Sequence, residues 1–332
     1  MRAAVIRFKA APGPLLMLAL PLALMWGLSR GAVPLSLEQI WLALSGDPDS
    51  ALVRIVLLEM RLPRALLAAL VGAALSVAGV LTQTLVRNPL ADPYLLGVAN
   101  GAALAAVTGL TLGWWLPVPV LAVVGGALAF VLVMLVASHP RLSLSPYPLI
   151  LCGVAISALG ASLTTLMMLL GDERALGQIL RWLMGSLAGA DWQRLLPLAL
   201  LLPPLMWWLC RRAGVLDLML LGQDKARSLG VNLQSERRGM ALAILLLTAL
   251  SVAAAGAVSF VGLLVPHLAR MWVGAPHRIL LPIAALLGAL ITLLVDGLCR
   301  VLLAPEELPL SVPMAVMTVP LILLLIRRQA HA

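Results

Sequence analysis

The sequence predicts an all-α, polytopic membrane protein of about ten transmembrane helices, and three observations carry that prediction. Hydrophobic residues fill 62% of the 332 positions and charged residues only 11%, too little polar surface to cover a soluble globule of this length. Mean hydropathy is +1.06. Apolar runs near twenty residues recur along the chain, and because hydrocarbon offers backbone amides no partners, runs of that length are helices. The ten-residue alternation of a membrane barrel is absent.

In chain order the spans fall near 14–32, 62–85, 92–113, 115–137, 147–170, 193–210, 239–257, 260–274, 279–298 and 309–326. The first begins at Pro14 and comes after Arg2, Arg7 and Lys9, the layout of a signal peptide. No small-x-small cleavage site follows Trp26 and further apolar segments do, so it reads as an uncleaved span. The second span carries Gly72, Ala73, Ala74, Ser76 and Gly79, and the third Gly101, Ala102, Ala103 and Ala105, small residues that let helices approach closely. The eighth is short and contains Pro266, which leaves nine spans or a broken helix open.

The loops set the orientation. With ten spans and a cytoplasmic N-terminus, 15 of the 23 Lys and Arg residues fall inside and 8 outside. That satisfies the positive-inside rule and places both termini in the cytoplasm. It also places there a polar island, Arg211 to Arg238, holding six of the basic residues. In it Leu216, Leu220, Leu221 and Leu229 alternate with Asp224, Lys225 and Arg227, the pattern of short helices in an exposed loop that meets another protein. Gly222 and Gly230 are suited to end those helices.

The outside cations are the anomaly. Arg61 and Arg64 begin the second span and Arg300 comes after the ninth. One reading is that they snorkel to headgroups. The other is that guanidinium forks at one rim dock the carboxylates of an external partner. Between spans two and three, Asn88, Pro89, Asp92 and Pro93 read as a rigid turn in which Asn88 and Asp92 cap the next helix.

Cys152, Cys210 and Cys299 are isolated, with no metal-ligand spacing, and read as small buried hydrophobes. His267, beside Pro266, forms no recognisable cluster with His139, His277 and His331, so no metal site is expected. The isoelectric point of 10.9 comes without an aromatic-basic nucleic-acid motif and fits loops facing anionic lipid. No GxxxxGK[ST] is present, so the chain has no phosphate cradle of its own.

Five strings in order give a specific resemblance: RLPRALLAALVGAALSVAGVLTQTLVRNPLADPYLLGVANGAALA at 61–105, LGQDKARSLGV at 221–231, GAVSFVGLLVPHLAR at 256–270, HRILLP at 277–282 and EELPLSVPMAV at 306–316. Together they resemble the permease subunits of ABC importers for iron-siderophore, haem and cobalamin, from about residue 36 to 328. The resemblance implies a type II importer bundle: one transmembrane permease domain, 1–332, with a cytoplasmic coupling-helix segment at about 211–238. It also implies a second permease copy or paralogue, two ATPase subunits that use ATP and Mg, and a periplasmic or lipoprotein substrate-binding protein, in a bacterial inner membrane. This chain would bind no cofactor and carry no catalytic residue. Its ATPase-coupling contact would comprise Leu220, Leu221, Gly222, Asp224, Ala226, Arg227, Leu229 and Gly230, and the binding protein would dock on Arg61, Arg64 and Arg300.

The pattern departs from the family near the C-terminus. After Glu307-Leu308-Pro309 the family's Gly gives way to a stretch with Ser311 and Pro313, and Thr318-Val319-Pro320 stands where a GAP-like turn is usual. By the same resemblance an iron–siderophore chelate is the leading cargo, with haem and cobalamin as the alternatives. A proton- or sodium-coupled transporter would need ionisable residues at depth, and the spans offer little beyond Asp296. An intramembrane enzyme would need a nucleophile-base pair or HExxH, and neither is evident.

Overall fold

The computed structural model describes residues 12–31, 34–137, 146–304 and 306–330, which form helices and, among them, no strand. Each expected span coincides with a helix: α1 (Pro12–Ser29), α4 (Leu62–Val86), α5 (Val98–Thr111), α6 (Val118–Ala137), α7 (Pro146–Leu170), α9 (Trp192–Leu220), α11 (Leu233–Ala255), α12 (Val261–Val273), α13 (His277–Leu302) and α14 (Ser311–Ala330). Four shorter helices lie between them: α2 (Leu37–Ser45), α3 (Ala51–Ile55), α8 (Glu173–Leu183) and α10 (Gln223–Ser228). Seven helical stretches are long and apolar enough to cross a bilayer, while α5, α12 and the apolar part of α14 are shorter. At 1.5 Å per residue the 13 residues of α12 reach about 20 Å, two thirds of a hydrocarbon core. The eighth span is therefore a short helix preceded by the non-helical segment 256–260, and Pro266 lies within it without breaking it.

α4 is the axis of the bundle. Every residue from Val71 to Val86 is buried, and α13, α11, α12 and α9 pack around it. Missing side chains allow this. A Cβ on Gly72 would lie 2.2 Å from the carbonyl oxygen of Gly288 on α13, and one on Gly79 would lie 2.0 Å from that of Gly262 on α12. The small-residue stripe of the second span is thus a backbone-to-backbone contact, which gains dispersion energy without a hydrophobic drive from lipid.

Three boundaries differ from expectation. The second span starts not at Arg61 but at Ala51, running unbroken through a π-helical turn, Val56–Arg61, to Val86, 36 residues in all. α9 continues ten residues beyond its apolar run, so the first third of the polar island is helix rather than loop. α8, an amphipathic helix started by Asp172 accepting the Ala175 N–H at 2.7 Å, was not expected at all.

The bundle has two ends that the contacts define. At one, the C-termini of α4 and α9 meet the N-terminus of α13: buried His277 bonds Asp217 through Nδ1 at 2.5 Å and Thr84 through Nε2 at 2.8 Å. At the other, the N-terminal part of α4 meets the C-termini of α13 and α1 through Arg64, Asp296 and Arg300.

Candidate functional site

At the His277 end the polar island folds into a hairpin. α9 and α11 are joined across its base by Arg212 to Glu236 at 2.5 Å, and Arg211 lies 3.9 Å from the ring centre of Trp207, so the helix remains regular as it becomes polar. α10 forms the tip. Gly222 precedes it at φ +113°, and Gly230 at φ +78° closes it: the Gly230 N–H donates to Arg227 O and the Val231 N–H to Ala226 O, a Schellman pair that needs a left-handed residue. Gly230 ends a helix in the left-handed conformation the sequence indicates, whereas Gly222 follows α9 in an extended, positive-φ conformation and opens α10.

The tip's side chains sort by burial. Ala226 is fully buried against the core, so of the eight residues expected at the coupling contact it alone supports the tip from beneath. Leu220, Leu221 and Leu229 are 42%, 55% and 58% exposed, interspersed with exposed Asp224, Lys225 and Arg227. The tip thus presents an exposed apolar cluster with both charge signs. The turn between α4 and α5 is capped by one of the two residues expected: Asp92 accepts the Tyr94 N–H at 2.8 Å and caps a short 3-10 helix, Pro93–Leu96, whereas Asn88 accepts the Leu90 N–H at 2.9 Å within the turn and caps no helix. Pro89 and Pro93 stiffen the run, and Arg87 turns out of α4 in the left-handed region.

At the opposite end the three rim arginines are occupied by this chain's own atoms. Asp296, fully buried, lies 2.9 Å from Arg64 Nη2 and 3.2 Å from Arg300 Nε, the latter an ionic approach off the line of a hydrogen bond. Arg300 donates to the carbonyls of Gly27 and Arg30, and Arg61 to that of Leu28, so both satisfy the bare carbonyls at the C-terminus of α1. Arg61 and Arg300 are buried, which neither snorkelling nor direct docking describes. Arg64 reaches the surface and is met there by Glu307 at 2.8 Å. Sequence reading missed the acids of this cluster because Asp296 lies 232 residues from Arg64 and Glu307 lies 243.

Two cavities flank the non-helical segment 256–260. One, about 610 Å³, opens between the Pro93–Leu96 turn, α5, α7 and the start of α12, and is lined by Asp92, Tyr94, Asn100, Ser157, Ser259 and Phe260. Tyr94 donates its hydroxyl to Val258 O at 2.9 Å, and Phe260 holds φ +70°, a strained conformation for a bulky residue. Asp92, half-buried, lines this cavity from the connection between α4 and α5. The other cavity, about 420 Å³, lies at the arginine-cluster end between α8, the starts of α6 and α9 and the end of α11, and holds Gln178, Arg181, Trp182 and Arg194. None of these four was singled out in the sequence, since nothing local distinguishes them until α8 folds onto α11.

Known proteins resemble this chain in sequence and in fold. The chain is 45% identical over 271 residues to the Fe(3+) dicitrate transport system permease protein FecD of Escherichia coli (strain K12), covering 80% of this chain and 83% of that one. It is 40% identical over 282 residues to the vitamin B12 import system permease protein BtuC of Vibrio cholerae, covering 84% and 85%. Among solved structures, a metal-chelate type ABC transporter in an inward-facing conformation superposes with a TM-score of 0.83 at 34% identity, covering 94% of this chain and 97% of that one. The profile of the FecCD transport family matches residues 17–328, nearly the whole bundle with its hairpin and its arginine cluster, and the chain belongs to that family.

Proposed function

We propose that this chain is the membrane-spanning subunit of an ABC importer that moves a metal chelate, an iron chelate first, across the bacterial cytoplasmic membrane. The observation that carries the proposal is the α10 tip: three exposed leucines among Asp224, Lys225 and Arg227, in a chain with no nucleotide-binding motif. Such a subunit draws its energy from a separate ATPase, and a tip held rigidly by the Schellman cap and the Arg212–Glu236 bridge transmits a push to α9 and α11. Two ATPase subunits using ATP and Mg would dock at the tips of two permease copies or paralogues. The distribution of basic residues supports a cytoplasmic location for both termini and the tip.

A substrate-binding protein would dock at the other end. There Arg64 is the guanidinium within reach, with Arg61 and Arg300 holding α1 and Asp296 beneath it. Asp296 is neutralised by two arginines, which fits a structural ion cluster better than a proton carrier and so weighs against ion-coupled transport. Cobalamin remains the second cargo reading, supported by the similarity to the Vibrio cholerae permease.

The double variant Asp224→Lys/Arg227→Glu tests the proposal. Its expected result is normal membrane insertion with loss of ATPase co-purification and of chelate uptake. Retention of both would remove the assignment of the α10 tip.

A further inference from the structure

We propose that the cavity between α8, α9 and the end of α11 is a cargo subsite for anionic, carboxylate-bearing metal chelates, held by the guanidinium groups of Arg181 and Arg194. The inference rests on the importer reading above and adds the charge class of the cargo.

The site is cationic and incompletely neutralised. Arg181 is exposed at the cavity wall, with no ion pair to an acid among the described residues. Arg194 has one acid near it, Asp191, at 3.9 Å, and that carboxylate already accepts the Arg194 backbone N–H at 2.7 Å as the cap of α9. Gln178 lies one helical turn before Arg181 on α8 and adds an amide to the same wall. A guanidinium fork matches a carboxylate in two parallel bonds, so two of them lining one cavity suit a ligand bearing several carboxylates. The volume, about 420 Å³, lies within the ~300–1,000 Å³ of small-molecule sites.

Position argues for cargo rather than for a phospholipid headgroup, the other source of an oxyanion at a membrane surface. The floor of the cavity is Ala253 to Gly256, and three residues further Ser259 and Phe260 line the second cavity. The non-helical segment 256–260 is therefore the wall between the two. It is pinned from the α8 side, where a Cβ on Gly256 would lie 2.2 Å from the Trp182 carbonyl, and from the other by Tyr94 to Val258. Irregular backbone in a membrane bundle is tolerated where it lines a cavity, and this segment lines two. The second cavity carries Asp92 and neutral polar groups but no base, so a chelate drawn by the arginines meets no comparable cationic trap beyond the wall.

The experiment uses the complete permease–ATPase complex in nanodiscs and equilibrium dialysis against radiolabelled ferric dicitrate, with cobalamin as a comparator lacking carboxylates. The wild-type complex is expected to retain ferric dicitrate, Arg181→Gln/Arg194→Gln to weaken that binding at least tenfold, and Arg181→Lys/Arg194→Lys to keep most of it. Cobalamin retention should be the same in all three. Equal ferric dicitrate binding by the wild-type and Gln complexes, or none by the wild type, overturns the proposal. So does loss of co-purified anionic lipid from the Gln variant without loss of chelate, which would make the cavity a lipid site. ATP-driven uptake by the full complex with its binding protein separates the two readings: uptake of cobalamin but not of ferric dicitrate sinks the anionic subsite and leaves the importer standing, whereas a permease that co-purifies with no ATPase sinks the importer.

Discussion

Glu307 holds the outer edge of the Arg64 guanidinium with both oxygens, Oε1 2.8 Å from Nη1 and Oε2 3.0 Å from Nη2, while buried Asp296 holds the inner edge. A carboxylate arriving from a docked protein would have to displace Glu307, since no other edge of that fork is open. Substituting Glu307→Gln should therefore strengthen capture of the substrate-binding protein. The pair is more than a third exposed on the glutamate side, so its strength is about 1 kcal/mol and the gain roughly fivefold in Kd. Surface plasmon resonance on nanodiscs checks this, and an unchanged or weakened Kd would count against docking at Arg64.

Asp296 is the opposite case. Its removal leaves Arg64 and Arg300 facing each other in a buried site, and uncompensated buried charge costs about 3–5 kcal/mol. Asp296→Asn is expected to lower the thermal midpoint in detergent by several degrees, more than Glu307→Gln, whose partner stays paired to Asp296.

The two glycine environments separate packing from propensity. Gly79→Ala forces a methyl into the Gly262 carbonyl and should destabilise by at least about 1–3 kcal/mol. Gly214→Ala, in α9 with open space around it, should be neutral or stabilise by about 0.5–1 kcal/mol, because only backbone entropy changes. Denaturant or thermal melts of both, side by side, make the comparison.

The hairpin cap predicts a smaller effect. Gly230→Ala puts a Cβ in the left-handed region and should cost about 1 kcal/mol locally, loosening α10 without touching the transmembrane core. ATPase co-purification should fall while the thermal midpoint of the bundle holds.

Much of the fold is legible in the sequence because hydrocarbon is an exacting solvent. A run such as 118–137 has no alternative to being a helix, and ten such runs located ten helices. Local chemistry was legible too: Asp92 caps, and Gly222 and Gly230 flank α10. α8 escaped because an amphipathic helix of 11 residues is too polar for the hydropathy signal, and the start of the second span was misplaced because Arg54, Glu59 and Arg61 interrupt an otherwise continuous helix.

Residue order alone specifies a polytopic helical protein and the places where helices touch through glycine. What the charges do is set by the folded bundle: Arg61 and Arg300 cap α1 from within, Arg64 is held by Asp296 and Glu307, and Arg181 and Arg194 share one cavity. The difference is one of range. Hydropathy and capping act over a few neighbouring residues, whereas a charge in a low-dielectric bundle is defined by whichever partner the fold brings within about 3 Å, hundreds of residues away in the chain.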